Sequence, residues 1–163
     1  MGKLEIVDDL LLPNETIVLR YTGPNPLRVC NLIPDLAEVV LEIEAKDVIE
    51  KVFKFDATGD PRWFYDVLSC QKGFDRWTKF ARRFLVQGEQ EVKTGKGNVE
   101  IRITGWLITS FEYSNFLQRA FWLFFNHAFY YRVRRRYYYI ARDYLMRMRS
   151  ELMEALGIRP PVE

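Results

Sequence analysis

The chain has 163 residues, of which 48% are hydrophobic, 15% aromatic and 28% charged. This size and composition indicate a single globular domain and exclude a disordered chain. The net charge of +2 is unevenly distributed, because residues 1–112 carry 15 basic and 18 acidic side chains whereas residues 113–163 carry nine arginines and four acids. The C-terminal part is therefore expected to face something acidic, either a partner or the other part of the domain.

The first predicted elements are a strand followed by two short helices. Residues 16–23 alternate apolar and polar side chains, as a half-buried strand does. Asn25 and Pro26 then suit the start of a helix. Pro34 predicts that this helix stops and a second one begins, since the residue before a proline disfavours the α region.

The middle of the chain predicts four more strands, which gives an antiparallel sheet of about five strands. They are placed at residues 48–56, 63–70, 77–86 and 99–106. A hairpin loop is predicted at residues 94–97, and Gly105 suggests a bulge in the last strand. The fold class is thus α+β, with residues 1–112 as its mainly β part.

Residues 113–163 are predicted to form an aromatic, arginine-rich helical segment of the same domain. Neither glycine nor proline occurs from Ser114 to Leu156, and Ser114 and Gly157 suit the two ends of a helix. The apolar residues form two stripes, rotated relative to each other. The first contains Leu117, Ala120, Phe121, Phe124, Ala128 and Tyr131, and the second runs from Val133 to Leu152.

One straight helix on one sheet cannot bury both stripes. The helix is therefore expected to be kinked or broken near residues 126–132, or to project from the domain. In the projecting form, the first half packs on its own domain and the second half on something else.

An arginine cluster on this helix is the candidate site for an anionic partner. Five arginines lie opposite the second stripe: Arg132, Arg135, Arg136, Arg142 and Arg149. Guanidinium groups bind phosphates and carboxylates, and arginine interleaved with tyrosine suits RNA. The partner is RNA, another acidic protein or a membrane surface; alternatively, the arginines form a solvated face balanced by the acidic part of the chain.

The second stripe is the candidate self-association surface. The residues assigned to it are Val133, Tyr137, Ile140, Tyr144 and Met148. A twofold dimer would bury them most simply, because such an interface matches a patch to itself, so a homo-oligomer is predicted. Arg134 falls within this stripe and is expected to meet a carboxylate or backbone carbonyls, since a buried unpaired charge is costly.

Residues with catalytic or metal-binding chemistry have no recognisable arrangement. His127, the only histidine, lies in the aromatic helix and is predicted to be structural. Cys30 and Cys70 are expected to be reduced residues in or near the core. Turn and surface roles are predicted for Asp56, Asp60, Asp66 and Asp75. No catalytic residue, metal or cofactor is predicted, and an enzyme is the least favoured class.

The order of elements resembles that of the helix-grip fold. A strand, two short helices, a run of antiparallel strands and a long C-terminal helix occur in this order in the Bet v 1/START-like superfamily. The resemblance covers residues 16–150 and depends on element order, without a shared motif. It implies a cavity between the sheet and the long helix that receives an apolar small molecule.

These features favour a non-catalytic binding or assembly module whose C-terminal helix is the interaction surface. The alternatives are a carrier of an apolar small molecule and an RNA- or ribosome-associated factor that uses the arginine face. The longest apolar stretch, residues 116–131, is shorter than the roughly 20 residues of a membrane-spanning helix. The first residues lack the layout of a signal peptide, which favours a cytoplasmic location.

Overall fold

The computed structural model describes residues 1–12, 14 and 16–159, so the last four residues of the predicted C-terminal segment lie outside the described residues. The strands are β1 (Gly2–Asp9), β2 (Ile17–Pro24), β3 (Val48–Asp56), β4 (Arg62–Gly73), β5 (Thr78–Gln90) and β6 (Lys96–Tyr113). The helices are α1 (Val29–Leu41), α2 (Phe116–Phe125) and α3 (Tyr131–Leu156). Short 3₁₀ turns occupy Pro26–Arg28 and Ala45–Asp47, and a π turn at Asn126–Tyr130 joins α2 to α3.

All six described strands belong to one antiparallel sheet, which confirms the predicted α+β class. β6 is the strand that connects the two sides of the sheet. It has 18 residues and is therefore long enough to pair with two strands along one edge. β2 pairs with residues 96–103 of β6 and β1 pairs with residues 106–113. On the other edge of β6 the order continues through β5 and β4 to β3, which forms the far edge of the sheet.

The sheet has one strand more than the sequence predicted, and the additional strand is β1. Lys3 and Glu5 are exposed while Leu4 and Ile6 are half-buried, which is the period-two pattern of a strand. This alternation is visible in the sequence, and it is the signal that could have located the strand.

The prediction of two short helices was wrong, because α1 continues through Pro34 from Val29 to Leu41. A proline at this position removes one backbone hydrogen bond and crowds the preceding turn. Packing compensates for this, since Ile33, Ala37 and Leu41 are fully buried against the core. Burial of the helix in the core therefore outweighs the tendency of Pro34 to end it.

α3 covers one face of the sheet and completes the main core. Its inward side chains include Ala141, Leu145, Met148 and Leu152, all of them fully buried. The predicted bulge at Gly105 is absent from the described β5–β6 pairing, which runs without a register shift. Gly105 instead allows close approach, because an added Cβ there would lie 2.5 Å from Cδ1 of Leu145.

The C-terminal helix is continuous from Phe116 to Leu156, which excludes a break near residues 126–132, one of the alternatives that the sequence left open. The chain accommodates its change of phase through the π turn, whose i→i+5 hydrogen bonds enclose one residue more than those of an α-helix and rotate the faces on either side. The projecting alternative placed the first half of the helix on the domain and the second half elsewhere, and the structure shows the reverse. The second half packs on the core, and the first half presents the exposed stripe.

Candidate interaction surface

The start of α2 is fixed by polar side chains on either side of its first turn. Asn115 is the N-terminal cap, and its Oδ1 accepts a hydrogen bond from the backbone N–H of Gln118 at 2.8 Å. The side chain of Gln118 points back, and its Oε1 accepts from the backbone N–H and the hydroxyl of Ser114 at 2.7 and 2.8 Å. Together these hydrogen bonds satisfy backbone N–H groups at the start of α2 that have no partner within the helix.

The inner side of α2 packs on an aromatic cluster at the end of the sheet. Trp122 stacks on Phe111 with ring centroids 4.7 Å apart, and its Nε1–H donates to the carbonyl oxygen of Glu112 at 2.9 Å. Trp77 lies against both of these rings and against Tyr130 at 5.4–6.0 Å. These edge and stacked contacts hold α2 on β6 although none of its ten residues, all of which the structure describes, is fully buried.

The π turn places Tyr130 in a buried hydrogen-bond network. Its hydroxyl donates to Oδ2 of Asp75 at 2.5 Å and lies 2.7 Å from the hydroxyl of Thr78, which in turn lies 3.0 Å from that of Thr109. Because the single phenolic proton goes to Asp75, the hydroxyl of Thr78 donates to Tyr130 and that of Thr109 donates to Thr78. Tyr130 therefore ties the helix to both β5 and β6.

The same network shifts two ionisation equilibria. Burial and the neighbouring Asp75 carboxylate raise the pKa of Tyr130, which keeps its hydroxyl protonated. Burial alone would raise the pKa of Asp75, but hydrogen bonds from Tyr130 and from the backbone amides of Trp77 and Thr78 lower it below its ordinary value. Asp75 thus remains a carboxylate that accepts hydrogen bonds and anchors the joint between α2 and α3.

The outer side of α2 and the π turn is apolar and exposed. We call it the aromatic face, and its members are Phe116, Leu117, Phe121, Leu123, Phe124 and Phe129. Leu117 exposes 77% of its surface, Phe116 76% and Phe124 62%. Two polar side chains of the segment bind neighbouring residues, Gln118 to Ser114 and Asn126 to Arg134, whereas Arg119 is exposed. The segment therefore exposes apolar side chains that an ordinary surface helix would turn towards the core.

The predicted arginine cluster lies along the solvent side of α3, beyond the aromatic face. Arg132, Arg135, Arg136 and Arg142 are exposed, and Arg149 is half-buried beside a cleft that it lines with Arg142 and Met146. The guanidinium of Arg135 lies over the ring of Tyr139, 5.9 Å from its centroid. No described carboxylate lies within ion-pair distance of these five arginines, so their charges are open to an external anion.

Arg134 behaves as the sequence predicted, because it meets a carboxylate from the acidic part of the chain. Its Nη2 lies 2.6 Å from Oδ2 of Asp8 in β1, and its Nη1 donates to Oδ1 of Asn126 at 3.2 Å. Arg134 and Asp8 line a cleft of about 300 Å³ with Tyr131 and Tyr138. The ion pair ties the beginning of α3 to the strand at the edge of the sheet.

The second apolar stripe is turned mainly towards the protein's own core. Met148 is fully buried and packs in the core of the chain itself. Val133, Tyr137 and Tyr144 are half-buried; Tyr137 stacks on Phe74 at 4.9 Å. Of the five residues assigned to self-association, Ile140 is the most exposed. The stripe therefore contributes first to the core, because α3 must cover the sheet.

The four aspartates divide into three that stabilise turns and one that is buried. Asp56 accepts from Thr58 at the β3–β4 turn, Asp60 accepts from the backbone N–H of Val92, and Asp75 accepts from Trp77 and Thr78. Asp66 contradicts its predicted surface role, because it is fully buried in β4. Its inward position follows from the strand alternation, which also buries Phe64 and Leu68 on either side of it.

Two buried charged groups were not identified from the sequence. Neither oxygen of Asp66 has a hydrogen-bond partner among the described residues, and burial together with nearby Glu50 raises the pKa of its carboxyl to about 6. Arg82 in β5 is also fully buried, its three guanidinium nitrogens lack described partners, and it lies 3.9 Å from the ring centroid of Phe80. Burial lowers the pKa of Arg82 to about 10.

The remaining candidates are placed as follows. His127 is exposed on the π turn. Cys70 is buried and Cys30 is half-buried, and both are free thiols, as predicted. Burial raises the pKa of Cys70 to about 11 and that of Cys30 to about 12.

Within the described residues, no three or more His, Cys, Asp or Glu side chains are grouped to hold a metal ion. No described helix combines the length and apolarity needed to cross a membrane.

Comparison with known proteins gives no family. No protein-family model matches the sequence, and no curated protein matches it significantly.

Proposed function

We propose that this protein is a non-catalytic binding module whose working surface is the aromatic face with the neighbouring arginines of α3. One observation carries the proposal: α2 and the π turn present four phenylalanines and two leucines to solvent. Folding normally does the reverse, because burying apolar surface contributes about 25 cal/mol per Å². Contiguous apolar surface of this kind is typical of interaction sites.

The support beneath this surface favours binding without large rearrangement. Tyr130 and Arg134 connect the joint between α2 and α3 to three strands, through Thr78 in β5, Thr109 in β6 and Asp8 in β1. A surface held in place in the free protein loses less conformational entropy when a partner binds. The helix α3 thus anchors the module while α2 presents the apolar side chains.

Site-specific photo-crosslinking in cells tests the proposal. A photoreactive phenylalanine analogue at position 124 should form adducts with whatever covers the aromatic face. The matched control is position 53 in β3, where Phe53 is also an exposed aromatic residue, at 47%. Equal and low adduct yields at the two positions would contradict the proposal. The chemical nature of the adduct separates a second copy, another protein, RNA and lipid.

A second candidate function, carriage of an apolar molecule with an acidic group, has one observation in its favour. Arg82 lies unpaired on the sheet face that α3 covers, where the carboxylate of a ligand would satisfy it. The close approach of Leu145 to Gly105 shows that part of this interface is already filled.

Self-association through the aromatic face is one form of the first proposal, and light scattering measures the oligomeric state.

Replacing Arg82 by Met distinguishes carriage from a purely structural role. If Arg82 holds a ligand, native mass spectrometry of the purified protein should detect an acidic molecule that Arg82→Met no longer retains. If it holds none, the variant should be more stable by about 1–4 kcal/mol, because an unpaired buried charge is replaced by an apolar side chain of similar length. Chemical denaturation measures the second outcome.

A further inference from the structure

We infer that the aromatic face docks on the surface of an anionic lipid bilayer, with α2 lying in the plane of the interface. This inference depends on the proposed function, because it names the partner of the same surface. It follows from two observations: the direction of the apolar side chains and the distribution of charge on either side of them.

The apolar side chains suit a lipid interface. α2 has ten residues and is therefore about 15 Å long, half the thickness of a hydrocarbon core, so it lies on a bilayer and does not cross one. Phe116, Leu117 and Phe124 are its most exposed apolar residues. Interfacial helices insert such phenylalanines and leucines a short distance below the headgroups.

The charges around the aromatic face select an anionic surface. From Ser114 to Arg142 the sequence contains six arginines and no aspartate or glutamate. Arg119 lies within α2, and Arg132, Arg135 and Arg136 follow the π turn on the exposed side of α3. Anionic headgroups attract cations next to an inserted apolar segment by roughly 1 kcal/mol each, so these arginines would strengthen docking without entering the hydrocarbon.

A second group of cations flanks α2 on the sheet side. Trp122 closes a cleft of about 510 Å³ that is also lined by Lys3, Arg76 and Lys79. Two carboxylates line it as well, but that of Asp75 already accepts hydrogen bonds from Tyr130 and two backbone amides. The aromatic face therefore has basic groups on both sides, as a segment lying among headgroups requires.

A second copy of the chain is a poorer occupant of this surface. A twofold interface places a patch against itself, so the arginines near one aromatic face would approach those of the other. The same segment supplies no acid to neutralise them. RNA is also a poorer fit, because bases stack on aromatic rings whereas Leu117 and Leu123 offer neither stacking nor hydrogen bonds. A bilayer buries all of these side chains equally well.

Vesicle sedimentation of the full chain tests the inference. The wild-type protein should sediment with vesicles of phosphatidylcholine mixed with phosphatidylserine, and much less with vesicles of phosphatidylcholine alone. Binding should weaken as salt concentration rises, because salt screens the arginines.

Two variants and one control separate the contributions. Leu117→Ser combined with Phe124→Ser should weaken binding roughly tenfold for each side chain that no longer inserts. Arg132→Gln combined with Arg135→Gln should weaken it about fivefold for each charge and reduce its dependence on salt. Phe53→Ser combined with Phe55→Ser removes two exposed phenylalanines from β3 at the far edge of the sheet and should leave binding unchanged. Unchanged circular dichroism confirms that each variant is folded.

The outcomes distinguish this inference from the proposed function. Lipid binding that the Leu117/Phe124 variant loses and the Phe53/Phe55 variant keeps would support it. Equal binding to neutral and anionic vesicles, or equal loss in both phenylalanine variants, would overturn it. No vesicle binding, with protein or RNA adducts at position 124, would overturn the bilayer and leave the binding module intact. The absence of both vesicle binding and adducts would overturn both.

Discussion

The two parts of the C-terminal helix have similar aromatic character but opposite relations to the protein. α2 has no fully buried residue, while α3 buries a row of apolar side chains from Ala141 to Leu156 beneath its arginines. The more apolar part is therefore the more exposed one. Apolar content alone does not determine which residues enter the core; the position of the polar partners on the neighbouring strands decides it.

The joint between the two parts explains how one continuous helix can do this. The π turn changes the helical phase, and Tyr130 and Arg134 next to it bind groups on the sheet. With these two residues fixed, α3 turns its apolar side chains towards the core, and α2 turns Trp122 and Phe125 towards Phe111 and Trp77. π turns are frequent at functional sites, and here the turn directs the aromatic side chains outward.

The largest difference between the two parts should appear when a large side chain is truncated. Leu145→Ala in α3 should lower the free energy of unfolding by about 2–5 kcal/mol, because Leu145 is fully buried over Gly105. Phe124→Ala in α2 should change it by no more than about 0.5 kcal/mol, since the side chain is already in solvent. Chemical denaturation of both variants measures the contrast, and comparable losses would show that α2 is packed.

Two neighbouring arginines at the start of α3 provide a smaller contrast. Arg134→Met should lower the free energy of unfolding by about 1–3 kcal/mol, because it breaks the ion pair with Asp8 and the hydrogen bond to Asn126. Arg135→Met should change it by less than about 0.5 kcal/mol, as this side chain is exposed. If thermal melting shows Arg135→Met to be the more damaging, the assignment of inward and outward faces on α3 is wrong.

Tyr130→Phe tests the joint itself and its dependence on pH. Loss of the hydroxyl should lower the free energy of unfolding by about 1 kcal/mol near neutral pH. The pKa of Asp75 is lowered in the folded protein, so its contribution is complete above the ordinary value of 3.8 and is lost as pH falls through the folded pKa. The difference between wild type and variant should therefore shrink below that pH, which acid denaturation of both proteins measures.

The smallest effect is expected at His127, which lies exposed on the π turn. His127→Gln should change the free energy of unfolding by less than about 0.5 kcal/mol and leave binding by the aromatic face nearly unchanged. Denaturation and vesicle sedimentation at pH values on both sides of neutrality measure this. Abolished binding in the variant, with a pH dependence in the wild type, would show a role for the imidazole.

The local parts of the fold were predictable from the sequence. Five strands follow from alternation and turn residues, because each pattern depends on neighbours within the same strand. β1 was missed although Lys3, Leu4, Glu5 and Ile6 alternate in the same way. The continuity of α1 was not predictable from Pro34, since it depends on burial of Ile33 and Leu41 against residues distant in sequence.

The candidate site was predictable in part. The sequence indicates that the two stripes have different phases, but not which one packs on the sheet, because that depends on where β5 and β6 place Thr78, Thr109 and Phe111. The pairing of Arg134 with a carboxylate was predictable from its position within an apolar stripe. Burial of Asp66 was not, because both faces of β4 are apolar in sequence: Phe64 and Leu68 share the face of Asp66, and Tyr65 and Val67 lie on the other.

The length of β6 has a consequence for the order in which the protein is made. β1 and β2 emerge from the ribosome before their partner residues in β6, which follow about 100 residues later for β1 and about 80 residues later for β2. Until then the two strands remain unpaired, and the sheet face stays uncovered until α3 follows. Long-range pairing of this kind slows folding and leaves strand edges open to wrong partners. The nascent chain is therefore expected to need protection by chaperones until its last helix has emerged.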